Sequence, residues 1–278
     1  MNYQKYYTKD VKEKSSEKLF NVISCFAGGG GSSTGYRLAG ANILLINEFV
    51  EEAIETYKAN FPDTKVLVDD IKKYSSDDFL ELAGIKVGEL DLLDGSPPCS
   101  AFSLSGKRNK GWTGYIEDTT HTEIDFDTGT VIQTGEKKIK DGIKKYSNKT
   151  QEGIEDLFLE YIRIAKGIQP KVIVAENVKG ITFGESKKKL LEFINDFERI
   201  GYEVSYQVLN AADFGTPQAR ERTIFICVRK DVASKIGLNF MNINGIFPSK
   251  TVSKHVSMKE AFEDIENDPE EVKMLLDY

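Results

Sequence analysis

The sequence predicts an α/β fold, a mostly parallel sheet covered by helices, and three observations carry that prediction. Short apolar runs alternate with amphipathic stretches from residue 19 to about residue 200. The runs end on glycine, acidic or proline residues, the punctuation of strands that feed loops. Hydrophobic residues make up 40% of the chain and charged residues 29%, the balance of a globular protein, and no apolar run reaches the roughly 18 residues of a membrane span.

Each element follows from local pattern. Leu19 to Phe26 (LFNVISCF) reads as the first strand, turning at Gly28, Gly29, Gly30 and Gly31, after which Ser32 or Ser33 caps a helix through Leu38. The second strand, Ala41 to Asn47, stops at Glu48, and a helix runs from Val50 to Asn60. Lys65 to Val68 is the third, ending at Asp69 and Asp70; Leu90 to Asp94, the fourth, enters Gly95-Ser96-Pro97-Pro98-Cys99. Ile154, Leu157, Phe158, Tyr161, Ile162 and Ala165 recur at helical spacing and mark a core helix over 152–167. Strand five, Lys171 to Ala175, leads into Glu176-Asn177-Val178, and a helix follows from Ser186 to Ile200. Tyr202 to Leu209 and Thr223 to Arg229 form a closing antiparallel pair, which makes seven strands.

Three segments stand outside this alternation. Residues 1–18 are polar and read as a flexible N-terminal arm, without the apolar centre of a secretory signal. Residues 107–150 lack a helical period and are too long for a structureless connection, so they read as an insertion with a hairpin around Gly129. From 242 to 278 the chain reads as a loop and then an acidic amphipathic helix over Ser257 to Ile265.

The 37 basic and 44 acidic side chains give a net charge of −7, which disfavours nonspecific nucleic-acid binding by the chain as a whole. Lys107, Arg108 and Lys110, and the lysines from Lys137 to Lys149, form local basic stretches whose pattern alone is that of a solvated loop. Three cysteines form no close pair and two histidines are too few for a zinc cluster, so neither disulfides nor a metal is expected, and the expected location is the cytoplasm.

Three constellations carry chemistry. The glycine run after strand one lets a ligand approach the backbone, and Glu48, 20 residues after Gly28, stands where an acidic side chain accepts hydrogen bonds from a ribose. Asp70, at the end of strand three, is placed equally well for an adenine amino group or for solvent. Cys99 follows two prolines at the carboxyl edge of the sheet, a rigid setting for a nucleophile, whereas Cys25 and Cys227 lie inside apolar runs. Glu176 and Asn177 end strand five beside strand four. Arg220 and Arg222 alternate on an extended segment after Gln218, so both point to one side and together suit a negative charge, or else form a surface salt-bridge ladder.

The ordered set Phe26-Ala27-Gly28-Gly29-Gly30-Gly31, Glu48, Asp70-Ile71, Ser96-Pro97-Pro98-Cys99 with Phe102-Ser103, Glu176-Asn177-Val178 and Gln218-Ala219-Arg220-Glu221-Arg222 resembles the catalytic half of the DNA (cytosine-5) methyltransferases. Residues 20 to 230 carry the likeness, and Thr251 to Ile265 resembles the stretch that follows in that family. The resemblance implies a Rossmann-like class I methyltransferase domain over 19–241, with helices on both faces of the sheet. It implies S-adenosyl-L-methionine over Phe26, Ala27, Gly28, Gly29 and Gly30, with Pro97 beside it, the ribose on Glu48 and the adenine near Asp70 and Ile71; S-adenosyl-L-homocysteine would be the product. It implies Cys99 as the nucleophile toward C6 of a flipped cytosine, Glu176 at N3 and the exocyclic amine, and Arg220 and Arg222 steadying base and loop. Ser96, Pro98, Phe102, Ser103, Asn177, Val178 and Gln218 would line the place of the base, and double-stranded DNA would be the partner, with no membrane.

The pattern departs from the family after residue 241. The recognition domain and the closing Asn-containing helix are not found, so the sequence places them on a second subunit, on a longer chain, or lost from a degenerate relative, and expects little activity from these residues alone. Two rival readings use the same residues: a cytosine-5 methyltransferase acting on RNA, and a noncatalytic subunit that binds the cofactor or DNA.

Overall fold

The computed structural model describes residues 6–98, 116–118, 121–124, 131–134, 137–139, 157–184 and 186–267. The chain divides into two units, Met1–Phe102 with Glu155–Tyr278, and Ser103–Ile154.

The larger unit opens with helix α1 (Thr8–Ser15), where the sequence reading expected a flexible arm over 1–18. Ser15 donates to the Ala41 carbonyl at 2.8 Å, and Arg37 donates to Ser15 at 3.0 Å while its guanidinium lies 4.5 Å from the centre of the Phe61 ring. Only Val11 of this helix is buried, so no apolar period announces it.

Strands β1 (Phe20–Cys25), β2 (Ala41–Glu48), β3 (Lys65–Val68) and β4 (Leu92–Gly95) alternate with α2 (Gly31–Leu38), α3 (Glu51–Asn60) and α4 (Ser76–Ala83). The sequence reading passed over α4, although Ser75 and Asp78 cap each other reciprocally at its start. In the smaller unit β5 (Ile116–Asp118) pairs antiparallel with β8 (Lys137–Ile139), and β6 (His121–Ile124) with β7 (Val131–Thr134), the latter pair flanking Gly129. The larger unit resumes with α5 (Leu157–Ile168), β9 (Val172–Val178), α6 (Ser186–Arg199), β10 (Tyr202–Asn210), β11 (Glu221–Arg229), α7 (Lys230–Lys235) and α8 (Met258–Asn267).

The main sheet has seven strands in the order β10-β11-β9-β4-β1-β2-β3. The five from β9 to β3 run parallel, and β11 and β10 add to β9 as an antiparallel pair. Val22, Ile23, Ser24 and Cys25 of β1 are all buried, the mark of a strand covered on both faces. On one face Tyr36 of α2 and Tyr57 of α3 pack with Val22 and Ile46. On the other, Phe158 of α5 stacks on Phe193 of α6 with centroids 3.8 Å apart and meets Phe225 of β11 edge-on.

Tyr161 of α5 lies against the same face, its hydroxyl 3.0 Å from the Leu93 carbonyl and 3.1 Å from that of Val174. A Cβ on Gly95 would overlap the Tyr161 ring, so β4 ends on glycine because the aromatic ring occupies that space. The chain leaves β1 for β2 on one side and reaches β4 on the other. That reversal opens a crevice at the carboxyl edge, where ligands of open α/β sheets bind.

Candidate active site at the carboxyl edge of the sheet

The strand registers align the candidate residues. Cys25 pairs with Asn47 and with Gly95, and Gly95 pairs with Ala175. One residue further on, Glu48, Phe26, Ser96 and Glu176 therefore form one row across four adjacent strand ends.

At the β1 end the chain turns sharply. Phe26 and Gly28 both have φ near +55°, a region that costs a non-glycine residue about 1–3 kcal/mol, so Phe26 is held there by its surroundings. Ser96 donates to the Phe26 carbonyl at 3.2 Å, and the Ala27 N–H donates to Asn47 at 3.3 Å. Gly30, not Ser32 or Ser33, occupies the N-cap of α2, with φ +97°. The serines were read as caps from their residue type; both lie inside the first turn, where Ser32 donates inward to Asp94 and Ser33 is buried.

Glu48 is buried at 6% exposure and uses both carboxylate oxygens on backbone donors: Gly28 N–H at 2.8 Å on one, Phe49 and Val50 N–H at 2.8 and 3.0 Å on the other. It thereby fixes the glycine turn to the end of β2. A Cβ built on Gly28 would meet nothing within 4 Å, so the backbone beside Glu48 faces open space. A carboxylate has about four acceptor sites, and three backbone donors leave capacity for a hydroxyl.

Asp70 takes a local role: it caps the short turn Ile71–Lys73 by accepting from Lys72 N–H at 3.0 Å, and the Ile71 side chain is buried in the core. Asn47, which the sequence reading did not single out, holds this loop by donating to the Leu67 and Asp69 carbonyls at 3.0 and 2.9 Å. Its signal was a polar residue at the last alternation of an apolar strand.

Cys99, Phe102 and Ser103 lie outside the described residues, and the described part of their loop is Ser96-Pro97-Pro98. Pro97 is buried and its carbonyl faces the Asn177 amide at 3.5 Å, while the Asn177 carbonyl oxygen accepts from Val178 N–H at 2.8 Å. The segment Ser96-Pro97-Pro98 thus leaves the sheet against the end of β9.

Glu176 and Asn177 lie within β9, not after it as the apolar run suggested, because pairing with β11 extends the strand to Val178 opposite Arg222. Glu176 pairs with the Arg222 Nε at 2.8 Å. Burial pushes the Glu176 carboxyl above its ordinary range, and Arg222 and then Arg220 pull it back. Arg222 therefore binds inward, not in a surface ladder, while Arg220 and Gln218 are exposed. Asn210 closes the loop between β10 and β11 by accepting from the Ala212 and Arg220 N–H groups, both at 3.1 Å.

This arrangement offers a backbone cradle with an acceptor at one end and a carboxylate held by a guanidinium at the other, joined by the rigid turn that leads to Cys99. The chain matches the family model described as C-5 cytosine-specific DNA methylase over residues 20–116 and 140–277. The chain belongs to that family.

The family match accounts for the spacing of the motifs from Phe26 to Arg222 and agrees with the resemblance they carry. Among curated relatives, the Type II methyltransferase M1.HphI of Haemophilus parahaemolyticus is 36% identical over 209 residues, covering 75% of this chain and 45% of that protein. The Type II methyltransferase M.AquIA of Picosynechococcus sp. is 33% identical over 239 residues, covering 83% of this chain and 76% of that protein. The chain spans about half the length of the first relatives it matches. Of the three placements the sequence leaves open for the recognition part, a second subunit is not supported by these matches. A solved structure described as a DNA modification methyltransferase encoded within an E. coli prophage superposes with a TM-score of 0.61 at 22% identity, covering 87% of this chain and 54% of that one, and shares the fold. Among the described residues, no helix is long and apolar enough to cross a membrane and no side-chain group is arranged to hold a metal ion.

Proposed function

We propose that the chain carries the catalytic part of a DNA cytosine-5 methyltransferase, transferring a methyl group from S-adenosylmethionine to C5 of a cytosine flipped out of duplex DNA. The observation that supports this best is the single row formed by Glu48, Phe26, Ser96 and Glu176, which sets a cofactor cradle beside a carboxylate–guanidinium pair. The open backbone at Gly28 and the remaining acceptor capacity of Glu48 fit a ligand that presents a ribose. Bound there, S-adenosylmethionine supplies an electrophilic methyl group.

The residues of this chain do the rest. The Cys99 thiolate forms a bond to C6, and the electron pair of the C5–C6 bond moves to C5. Glu176, whose carboxyl burial pushes above its ordinary range, gives a proton to N3 and so neutralises the charge that develops on the ring. Arg222 fixes the orientation of Glu176. After C5 takes the methyl group, its proton leaves to solvent, the C5–C6 double bond returns as the thiolate departs, and N3 gives its proton back to Glu176. Ser96, Pro98, Phe102, Ser103, Asn177, Val178 and Gln218 are assigned to the walls around the base. Holding a base outside the stack costs a few kcal/mol, which the duplex contacts must offset.

Labelled S-adenosylmethionine incubated with the chain and duplex DNA should yield 5-methylcytosine on hydrolysis, at the low rate expected of these residues alone. Label in RNA alone would reassign the substrate, and label in neither polymer, with cofactor bound, would favour a noncatalytic binding role. Glu48→Ala should weaken S-adenosylmethionine binding by about 1.5–3 kcal/mol, the range of a hydrogen bond to a charged group. Calorimetry showing unchanged affinity in a folded variant would move the ribose elsewhere.

A further inference from the structure

Asp94 is a further carboxylate of this region, and neither the motifs nor the mechanism uses it. It lies in β4, 7% exposed, in register with Ser24 of β1 and two residues before Ser96, the member of the row that β4 leads into. Strand geometry puts it about 7 Å beneath that row. One oxygen accepts from the hydroxyls of Ser24 and Ser32 at 2.7 and 2.8 Å, and the other from the Tyr36 hydroxyl at 3.1 Å. Backbone N–H of Gly95 adds a fourth donor. All four are neutral, and no cation pairs with Asp94 among the described residues.

A carboxylate accepts from all of these donors at once, whereas an amide keeps one accepting oxygen and its NH2 must instead donate to a hydroxyl, so the donor set by itself accounts for a fastener but not for the position of its charge beside the cofactor turn. A carboxylate buried without a counter-ion costs the fold desolvation free energy that an amide does not. Such a cost is characteristic of functional sites. Beside Asp94 lies the turn after β1, tied to it through the Ser32 hydroxyl. A negative charge beside that turn, in a medium that screens poorly, acts on whatever binds there according to the charge it carries.

We propose that Asp94 is a specificity residue of the cofactor site, its buried negative charge favouring the cationic sulfonium of S-adenosylmethionine over the neutral thioether of the spent cofactor. The inference rests on the methyl-transfer reading above. It gives the site a means of releasing product: once the methyl group has left, the attraction has nothing to act on. Burial raises the Asp94 carboxyl above its ordinary range, and the hydroxyl donors oppose that shift.

The test is calorimetric binding of S-adenosylmethionine and S-adenosylhomocysteine to the wild-type chain and to Asp94→Asn, with folding checked by thermal melting. The variant should lose about tenfold in affinity for S-adenosylmethionine relative to its loss for S-adenosylhomocysteine. Asp94→Ser, whose smaller side chain leaves room for a water among the donors, is the second variant should the amide not fold. Equal loss for both ligands, or none for either, would show a fastener only and overturn the inference. Failure of the wild-type chain to bind either ligand would instead overturn the cofactor reading, and this inference with it.

Discussion

Cys99→Ser should leave duplex DNA carrying 5-fluorocytosine uncaptured, whereas the wild-type chain should form a complex that survives denaturation. The expectation follows from the chemistry assigned to the loop after β4. Fluorine at C5 cannot leave as a proton does, so the adduct made by the thiolate has no exit. A serine hydroxyl is a far weaker nucleophile without a base to activate it, and methyl transfer should fall by about a thousandfold or more. Cys25 and Cys227 are buried in β1 and β11, and burial raises both thiols, so neither substitutes. Capture by Cys99→Ser at wild-type yield, or a peptide map locating the adduct on Cys25 or Cys227, would remove Cys99 from the mechanism.

Glu176→Gln should lower the rate of methyl transfer by about 10²–10⁴-fold, the span of general acid catalysis, with S-adenosylmethionine affinity unchanged. A glutamine can contact N3 but cannot give it a proton. The state of this carboxyl depends on its neighbours: burial raises its pKa, and Arg222, 2.8 Å away, opposes that shift. Arg222→Ala should therefore raise the Glu176 titration midpoint further, which ¹³C-detected titration of the carboxyl reads directly. The consequence for stability has a definite sign. A carboxyl whose folded pKa lies above its unfolded value favours the fold below the unfolded pKa and loses that contribution as pH rises through the folded pKa. Arg222→Ala should thus destabilise the chain more at neutral pH than in acid. Equal destabilisation at both would show that the pair does not control the carboxyl, and wild-type turnover in Glu176→Gln would show that N3 takes its proton elsewhere.

The seven strands of the main sheet are legible as apolar or alternating runs, five of them stopping at glycine or acid, and the 20-residue interval from Gly28 to Glu48 brings acceptor and turn together. Other features depend on partners distant in sequence. Glu176 and Asn177 look like the start of a loop until β11 pairs with them. Alternation put Arg220 and Arg222 on one side, but only the register shows that Arg222 reaches Glu176 while Arg220 remains exposed. Asp94 reads as the acidic end of a strand, since the hydroxyls that surround it come from β1 and α2, 58 to 70 residues away. Helix α1 was hidden by having one buried side chain, its attachment made by Ser15 and Arg37.

Strand β11 lies between β9 and β10 although it is made after both. During synthesis, at about 5–20 residues per second, the parallel strands can assemble while β10 has no neighbour to pair with. The edge of β9 stays unfilled until β11 emerges, and then β10 and β11 enter the sheet together. Glu176 has no guanidinium beside it until that moment. The last event in building the sheet is therefore also the one that completes the carboxylate–guanidinium pair, so a nascent chain ending before Arg222 can hold the glycine turn in place while lacking the partner of its acid.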